Sequence, residues 1–382
     1  MKHTKVLIIG GNQYNTLGLI RSTGEKGLPV YLFLEHQDDL SNCYLRFSKY
    51  IKEIYHLGEL SEVLTLLRTH FMNEESKPVI LCASDASVCL LDRHYDELKE
   101  NFHFFNAGEQ GRISHLMSKT NIFDIASDSG LKLIKTWQFN GTSHLTEEIL
   151  YPCFTKPANS ALYAKAGIGV CDSASELEER LRDCSELLVQ EYIDKDYEIN
   201  INGFSYNNGR DVQFDAVCRK IRDYPDRQSQ YMVLEDISQH PYIDFDTIRR
   251  LVHSIGYEGL FSVEFLIKND VSYFLEINMR NDGTNYLYTL GGYNYPFLWY
   301  LYCLGKLDSE HLDHRCLNKP LYLMQWSDFS DVVHKRITLS QWVKDFSRVR
   351  AFYVLNIRDI KPFISQVWQY MRRILQKLRT YK

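Results

Sequence analysis

Between Phe261 and Arg280 the chain reads FSVEFLIKNDVSYFLEINMR. Two runs of aliphatic and aromatic residues flank Lys268, Asn269 and Asp270, which suit a turn, so the stretch predicts an antiparallel hairpin. In the register where paired residue numbers sum to 540, Glu264 stands opposite Glu276. Asn278 shares the parity of Glu276, so these three polar residues occupy one face. Val263, Phe265, Tyr273, Leu275 and Ile277 fall on the other. One side of the hairpin is therefore a core surface and the other is rich in oxygen.

Two carboxylates at about 4 Å repel by roughly 4 kcal/mol when the effective dielectric is about 20. Protonation of one acid offsets this. So does a hard cation: two carboxylates and an amide oxygen suit Mg²⁺ or Mn²⁺, whose other positions go to water and substrate phosphate. Arg280 either reaches the same phosphate or forms a salt bridge. The alternative for the whole stretch is a structural ion-pair hairpin with no ligand.

The chain around it is long enough for this to be one part of a multi-lobed protein. It has 382 residues, 45% of them hydrophobic, which supports two or three cores. The formal charge of -5 supplies no general field for nucleic acid, and no nucleic-acid partner is expected. Nine cysteines, odd in number and without a CxxC pair, read as buried thiols rather than disulfides or a zinc site. The start, MKHTKVLIIGGNQYN, has an apolar run too short to span a membrane and no cleavage signal, so the expected location is cytoplasmic.

Lys5–Gly11, Thr16–Lys26 and Leu28–Leu34 read as strand, helix and strand, the opening of a parallel sheet. Its turn is GGNQYNTLG rather than GxGxxG, so a dinucleotide fingerprint is absent. Helices are expected near 60–71, 87–99, 115–129, 173–184 and 246–256. Further strands are expected at 78–81, 132–137, 151–156, 187–193 and 212–218. This pattern gives α/β followed by α+β texture. Residues 361–382 carry Ile364, Val367, Trp368, Met371, Ile374, Leu375 and Leu378 at helical spacing, with Lys361, Arg372, Arg373, Lys377, Arg379 and Lys382 among them. Such a helix either docks on its own domain, meets a protein partner, or lies peripherally on the inner, anionic face of a membrane.

Other charged residues are placed where a phosphate-bearing ligand can use them. Lys156 ends an apolar strand before Pro157 and can meet a phosphate or simply snorkel. Lys119 lies on or beside a helix, with the same two readings. In LLVQEYIDKDYEIN, a short connecting strand exposes backbone groups to a purine edge, and Glu191 or Glu198 can accept from an amine or a ribose hydroxyl. Arg219 follows an apolar strand and can approach a transferred phosphate. Lys220 is its neighbour on the opposite side. Asn12–Asn15 can line a cleft with the second lobe, and Arg222 or Arg280 can take a substrate carboxylate. Asn281, Asp282, Thr284 and Asn285 either read a polar substrate or cap a turn.

In this order the features resemble the ATP-grasp superfamily, especially its carboxylate–amine ligases and carbamoyl-phosphate-synthase-like members, over about residues 1 to 300. VEF, a turn and LEINMR carry most of the resemblance. It implies an ATP-grasp architecture: an N-terminal Rossmann-like domain over 1–113 and an ATP-grasp domain over 114–305. The latter has a lid subdomain near 120–187 and a metal-binding lobe near 188–305, with a C-terminal extension over 306–382. It further implies that Lys119 and Lys156 contact the nucleotide, that Gln190, Glu191, Tyr192 and Ile193 form the adenine hinge, and that Glu198 lies near ribose. Arg219 and Arg280 would face the reacting phosphate, with Glu264, Glu276 and Asn278 as metal ligands. The lid, KPANSALYAKAGIGV, departs from the glycine-rich family pattern, leaving Ser160 and Lys165 as its phosphate contacts. INMR replaces the more familiar INPR. The implied reaction is ATP-dependent amide formation through an acyl phosphate, with small-molecule carboxylate and amine substrates such as an amino acid, a peptide or a carboxylated glycan precursor. Related acyl-phosphate or carbamate chemistry, and a noncatalytic Mg-ATP-binding module, are the alternatives. Nothing in the sequence fixes an oligomeric state.

Overall fold

The computed structural model describes residues 4–35, 43–117, 119–140, 149–157, 167–184, 186–222, 230–312 and 319–380. Four parallel strands open the chain: β1 (Val6–Gly10), β2 (Val30–Leu34), β3 (Ile51–His56) and β4 (Val79–Cys82), in the order β3-β2-β1-β4. Every residue of β1, β2 and β4 is buried. That is what continuous apolar runs produce when helices cover both faces of a parallel sheet. The first helix, Tyr14–Gly24, starts directly after the β1 turn.

A second, antiparallel sheet is built from β5 (Thr136–Asn140), β6 (Cys153–Pro157), β7 (Gly169–Cys171) and β8 (Glu186–Glu191), ordered β5-β8-β6-β7. From β8 the chain passes within a few residues into β9 (Tyr197–Tyr206), the start of a third and larger sheet. That sheet also contains β10 (Asp211–Gln213), β11 (Ala216–Arg222), β12 (Tyr231–Asp236), β13 (Gly259–Lys268), β14 (Val271–Asn278), β15 (Leu321–Met324) and β16 (Val349–Ala351). Its order is β14-β13-β9-β11-β12-β15-β16, with β10 paired to β9. Residues beyond 305 thus contribute two strands to the sheet that carries the hairpin.

The β13–β14 hairpin forms as the sequence predicts, with Glu264 paired to Glu276 and Ser262 to Asn278. The route to that register differs. Lys268 pairs with Val271, so the turn is the two residues Asn269 and Asp270, whose φ of 49° and 57° fit a type I′ turn. A bulge beside Leu275 then shifts the register before Glu276 is reached. The bulge also reverses the expected faces nearer the turn. Phe274 is the buried core residue there, and Tyr273 turns outward under the Lys132 ammonium, 4.5 Å from the ring centre.

Two buried ion-pair clusters fasten the C-terminal residues to the rest. Arg21 on the first helix donates to Asp359 at 3.1 Å, with both side chains almost fully buried, and to the carbonyls of Tyr353 and Val354 at 3.0 and 2.8 Å. Arg222 at the end of β11 grips Asp328 through two nitrogens, at 2.9 and 2.6 Å, and Asp345 at 2.6 Å. The C-terminal helix, Lys361–Thr380, turns Phe363 and Val367 toward the protein and leaves Ile364 and Trp368 58% and 60% exposed. No helix among the described residues is long and apolar enough to cross a membrane. The described cysteines are all unpaired.

Candidate functional site

β9 is the strand on which the site is laid out. In YEININGFSY, Ile199 and Ile201 enter the core, so Glu198, Asn200 and Asn202 must face the other way. Register then aligns Asn200 with Glu264 and Asn202 with Ser262 on β13, and Asn200 with Cys218 on β11. Lys220, two residues beyond Cys218, joins the same face. Its ammonium lies 2.6 Å from Glu198 and 3.2 Å from Glu264. Asn200 donates weakly toward Glu264 at 3.4 Å and Asp282 at 3.3 Å. Four carboxylates, from Glu198, Glu264, Glu276 and Asp282, thus gather around Lys220 and Arg280.

Among the described residues the cluster is short of positive charge. Burial, together with the carboxylates of Glu276, Asp282 and Glu198, pushes the Glu264 carboxyl up to about 7 even though Lys220 opposes the shift. Among the described residues no ion pair reaches Glu276, which accepts from the Asn278 amide at 3.4 Å. Glu198 goes the other way: burial alone would raise it, but Lys220 and Lys195 hold it below the usual carboxylate range. Among the described residues no three His, Cys, Asp or Glu side chains are grouped to hold a metal ion. The donors present are two facing carboxylates and an amide, hard oxygen ligands with uncompensated charge. That set fits a divalent cation whose remaining positions come from water and phosphate.

Arg280 spans the edge of this cluster. It donates to Asp85 at 2.8 Å and to Asn278 Oδ1 at 3.1 Å, and approaches Asp282 at 3.6 Å. The loop after it is docked on the first sheet: Asn15 donates to the carbonyls of Ala83 and Asn281, Asn281 returns a bond to Asn15, and Asn285 donates to Asn281 at 2.7 Å. The expected approach of Asn12–Asn15 to the second lobe is thereby realised through Asn15. Tyr14 lies over Gly283, where a Cβ would stand 2.6 Å from its ring. Burial first, then the charge of Asp282, raises the Tyr14 hydroxyl to about 12.

Arg219 does not join the cluster. It sits on the opposite face of β11, where its guanidinium forks onto Glu235 at 2.8 and 2.6 Å and covers the Tyr197 ring. Strand alternation requires this once Lys220 faces inward, so Lys220 takes the position expected of Arg219. Arg222 likewise serves Asp328 and Asp345 and is not placed to receive a substrate carboxylate. Gln190 is buried in β8 and donates to Thr136 at 2.9 Å. Glu191 and Ile193 are half-buried and Tyr192 is exposed at the passage between the second and third sheets. Lys156 lies on β6 with its ammonium 5.9 Å from the Phe123 ring centre. Lys119 begins the helix Lys119–Asp128, with its side chain outside the described residues, as are Ser160 and Lys165. Asn200 was not anticipated; the alternation of YEININ was the signal for it.

No family model matches the chain. A formate-dependent phosphoribosylglycinamide formyltransferase from Wolinella succinogenes is 34% identical over 152 residues, 36% of each chain. The chain spans about a third to a half of the length of the curated relatives it matches. Among solved structures, an L-amino acid ligase from Bacillus licheniformis superposes with a TM-score of 0.64 at 16% identity, covering 84% of this chain and 79% of that one. N5-carboxyaminoimidazole synthetase from Staphylococcus aureus gives 0.63 at 16% identity over 88% and 86%. Biotin carboxylase from Campylobacter jejuni gives 0.64 at 17% over 84% and 74%.

Proposed function

The chain has the ATP-grasp fold, and from that premise we propose that it is an ATP-dependent carboxylate–amine ligase. In this reading a carboxylate oxygen takes the terminal phosphoryl group of ATP, and ADP leaves. An amine nitrogen then attacks the resulting acyl carbon, loses a proton and expels phosphate, leaving an amide. The observation that carries the proposal is the cross-strand pair Glu264 and Glu276, flanked by Asn278, Lys220 and Arg280 on one polar face.

Each residue has a role that follows from its position. Glu264, Glu276 and Asn278 would hold Mg²⁺ or Mn²⁺, which when bound neutralises phosphate charge and orients the transferring group. Lys220 and Arg280 supply the positive charge that offsets what develops on the phosphoryl oxygens. Asn200 and Asp282 hold these groups in register. Gln190 to Ile193, at the passage between two sheets, offer backbone groups to the adenine edge, with Glu198 and Lys156 toward ribose and phosphate. No side-chain nucleophile is required, consistent with buried, unactivated thiols such as Cys218, whose pKa burial drives far up.

The test is a coupled ADP assay across paired carboxylates and amines, with mass detection of a product one water lighter than its reactants. Formate and bicarbonate belong in the panel, because ADP formation that requires either one moves the reading to formyl or carbamate chemistry. Mg-ATP binding without ADP release across the whole panel would overturn the enzyme reading in favour of a binding module.

A further inference from the structure

A cavity of about 410 Å³ opens on the other side of Tyr14 from the carboxylate cluster. Its wall is mostly aromatic and aliphatic, with Tyr14, Phe352, Tyr353, Val367, Tyr370 and Met371 contributing. That size and lining fall in the range of pockets for small organic ligands. Tyr14 is the shared partition. Its ring packs on Tyr353 at 4.2 Å between centres, and its hydroxyl lies within the electrostatic reach of Asp282, Lys220, Arg280 and Glu264. Gly283 leaves the space that the ring occupies. The cavity therefore adjoins the loop that carries Asp282 and Gly283, with the Tyr14 ring between them.

A further feature makes the cavity a built site rather than a packing gap. Its walls are fixed from outside: Arg21 holds the Tyr353 and Val354 carbonyls and Asp359, and Arg222 clamps Asp328, which lies next to the wall residue Ser327. Walls fixed before binding lose little freedom when a ligand enters.

We propose that this cavity receives an aromatic or branched apolar group of the organic substrate. The C-terminal residues, which supply most of the wall, then decide which substrate is accepted. This rests on the ligase reading for the identity of the ligand as a substrate, but not for its binding.

Two measurements separate the two claims. Calorimetric binding of N-acetyl-L-phenylalanine amide and of its alanine counterpart reads the cavity without turnover. The expected result is binding of the phenylalanine probe at least tenfold tighter than the alanine probe, a preference abolished in Val367→Trp, which fills the cavity. Met371→Trp provides a second filling variant, and a thermal melt confirms that whichever is used is folded. In the ADP assay with L-phenylalanine, L-tyrosine, L-leucine and L-alanine, the ratio of KM for alanine to KM for phenylalanine should be at least ten, falling toward one in the same variant. Selective binding without ADP supports the cavity and sinks the ligase reading. Turnover with no preference for the larger substrates, together with equal binding of the two probes, overturns the cavity proposal and leaves the ligase standing.

Discussion

Arg219 and Lys220 are adjacent on β11 and open onto opposite faces of the large sheet, and the two faces are charged by different rules. On the Arg219 side one guanidinium meets one carboxylate fork to fork, and His240 adds a second contact to Glu235 at 3.5 Å. Burial alone would raise Glu235, but the two Arg219 hydrogen bonds, with the His240 ring beside them, hold it at about 2. On the Lys220 side one ammonium is shared between Glu198 and Glu264, with Glu276 and Asp282 beyond, and Glu264 is driven up to about 7. The first face is a saturated structural pair. Among the described residues the second keeps a negative excess, and such an excess is what a metal–phosphate ligand complements.

The largest test of this contrast is Glu276→Gln. Removing a carboxylate from the unsaturated face should cut turnover by roughly 100- to 1000-fold, the scale seen when a preorganised charge-stabilising group is lost. Thermal stability should hold or rise, because like-charge repulsion with Glu264 falls. Steady-state ADP release and a melting curve measure both, and unchanged turnover would remove the metal role. Lys220→Met should follow at about 100-fold in turnover. The matching change on the other face, Arg219→Gln, should cost roughly 1 to 3 kcal/mol of stability by stranding Glu235, with turnover within a few-fold of the parent. Urea unfolding beside the ADP assay distinguishes the two neighbours.

The faces should also respond to pH with opposite sign. Glu235 has a depressed folded pKa, so its contribution is present above the unfolded value of about 4.3 and is lost as pH falls toward about 2. Glu264 has a raised folded pKa. Its protonated form is favoured by the fold, so stability is present below about 4.3 and declines as pH rises through about 7. With divalent metal chelated, melting temperatures measured across this range should fall at the acid end in the parent but less in Arg219→Gln. The decline toward neutral pH should shrink in Glu276→Gln.

How much of this the sequence could disclose follows from the same two faces. The pairing of Glu264 with Glu276 was legible because acids among alternating apolar residues stand out. β9 was not read as a strand, although it carries the site's central face. Its polar positions, Glu198, Asn200 and Asn202, dilute the apolar signal in proportion to their usefulness at the site. The face of Arg219 was undecidable without knowing where β11 begins, since a shift of one residue exchanges it with Lys220. β12, β15 and β16 went unread because they are short and their pairing is set across distant segments. The ion pairs that bind them, Arg222 with Asp328 and Asp345, join residues more than a hundred positions apart.

The smallest expected effect isolates folding from chemistry in the hairpin itself. Asn269 and Asp270 both hold positive φ, a region in which a side chain costs an L-residue roughly 1 kcal/mol. Asp270→Gly relieves that strain and creates the preferred Asn-Gly pair for a type I′ turn, while releasing more backbone entropy in the unfolded chain. The net gain should be about 0.5 kcal/mol, read as a small rise in the urea midpoint. The bulge at Leu275 lies between this turn and the acid pair, so the Glu264–Glu276 register has a second determinant close to the site. Turnover should therefore stay level while stability rises. A fall in turnover would mean that the turn, rather than the bulge, sets how the two carboxylates meet.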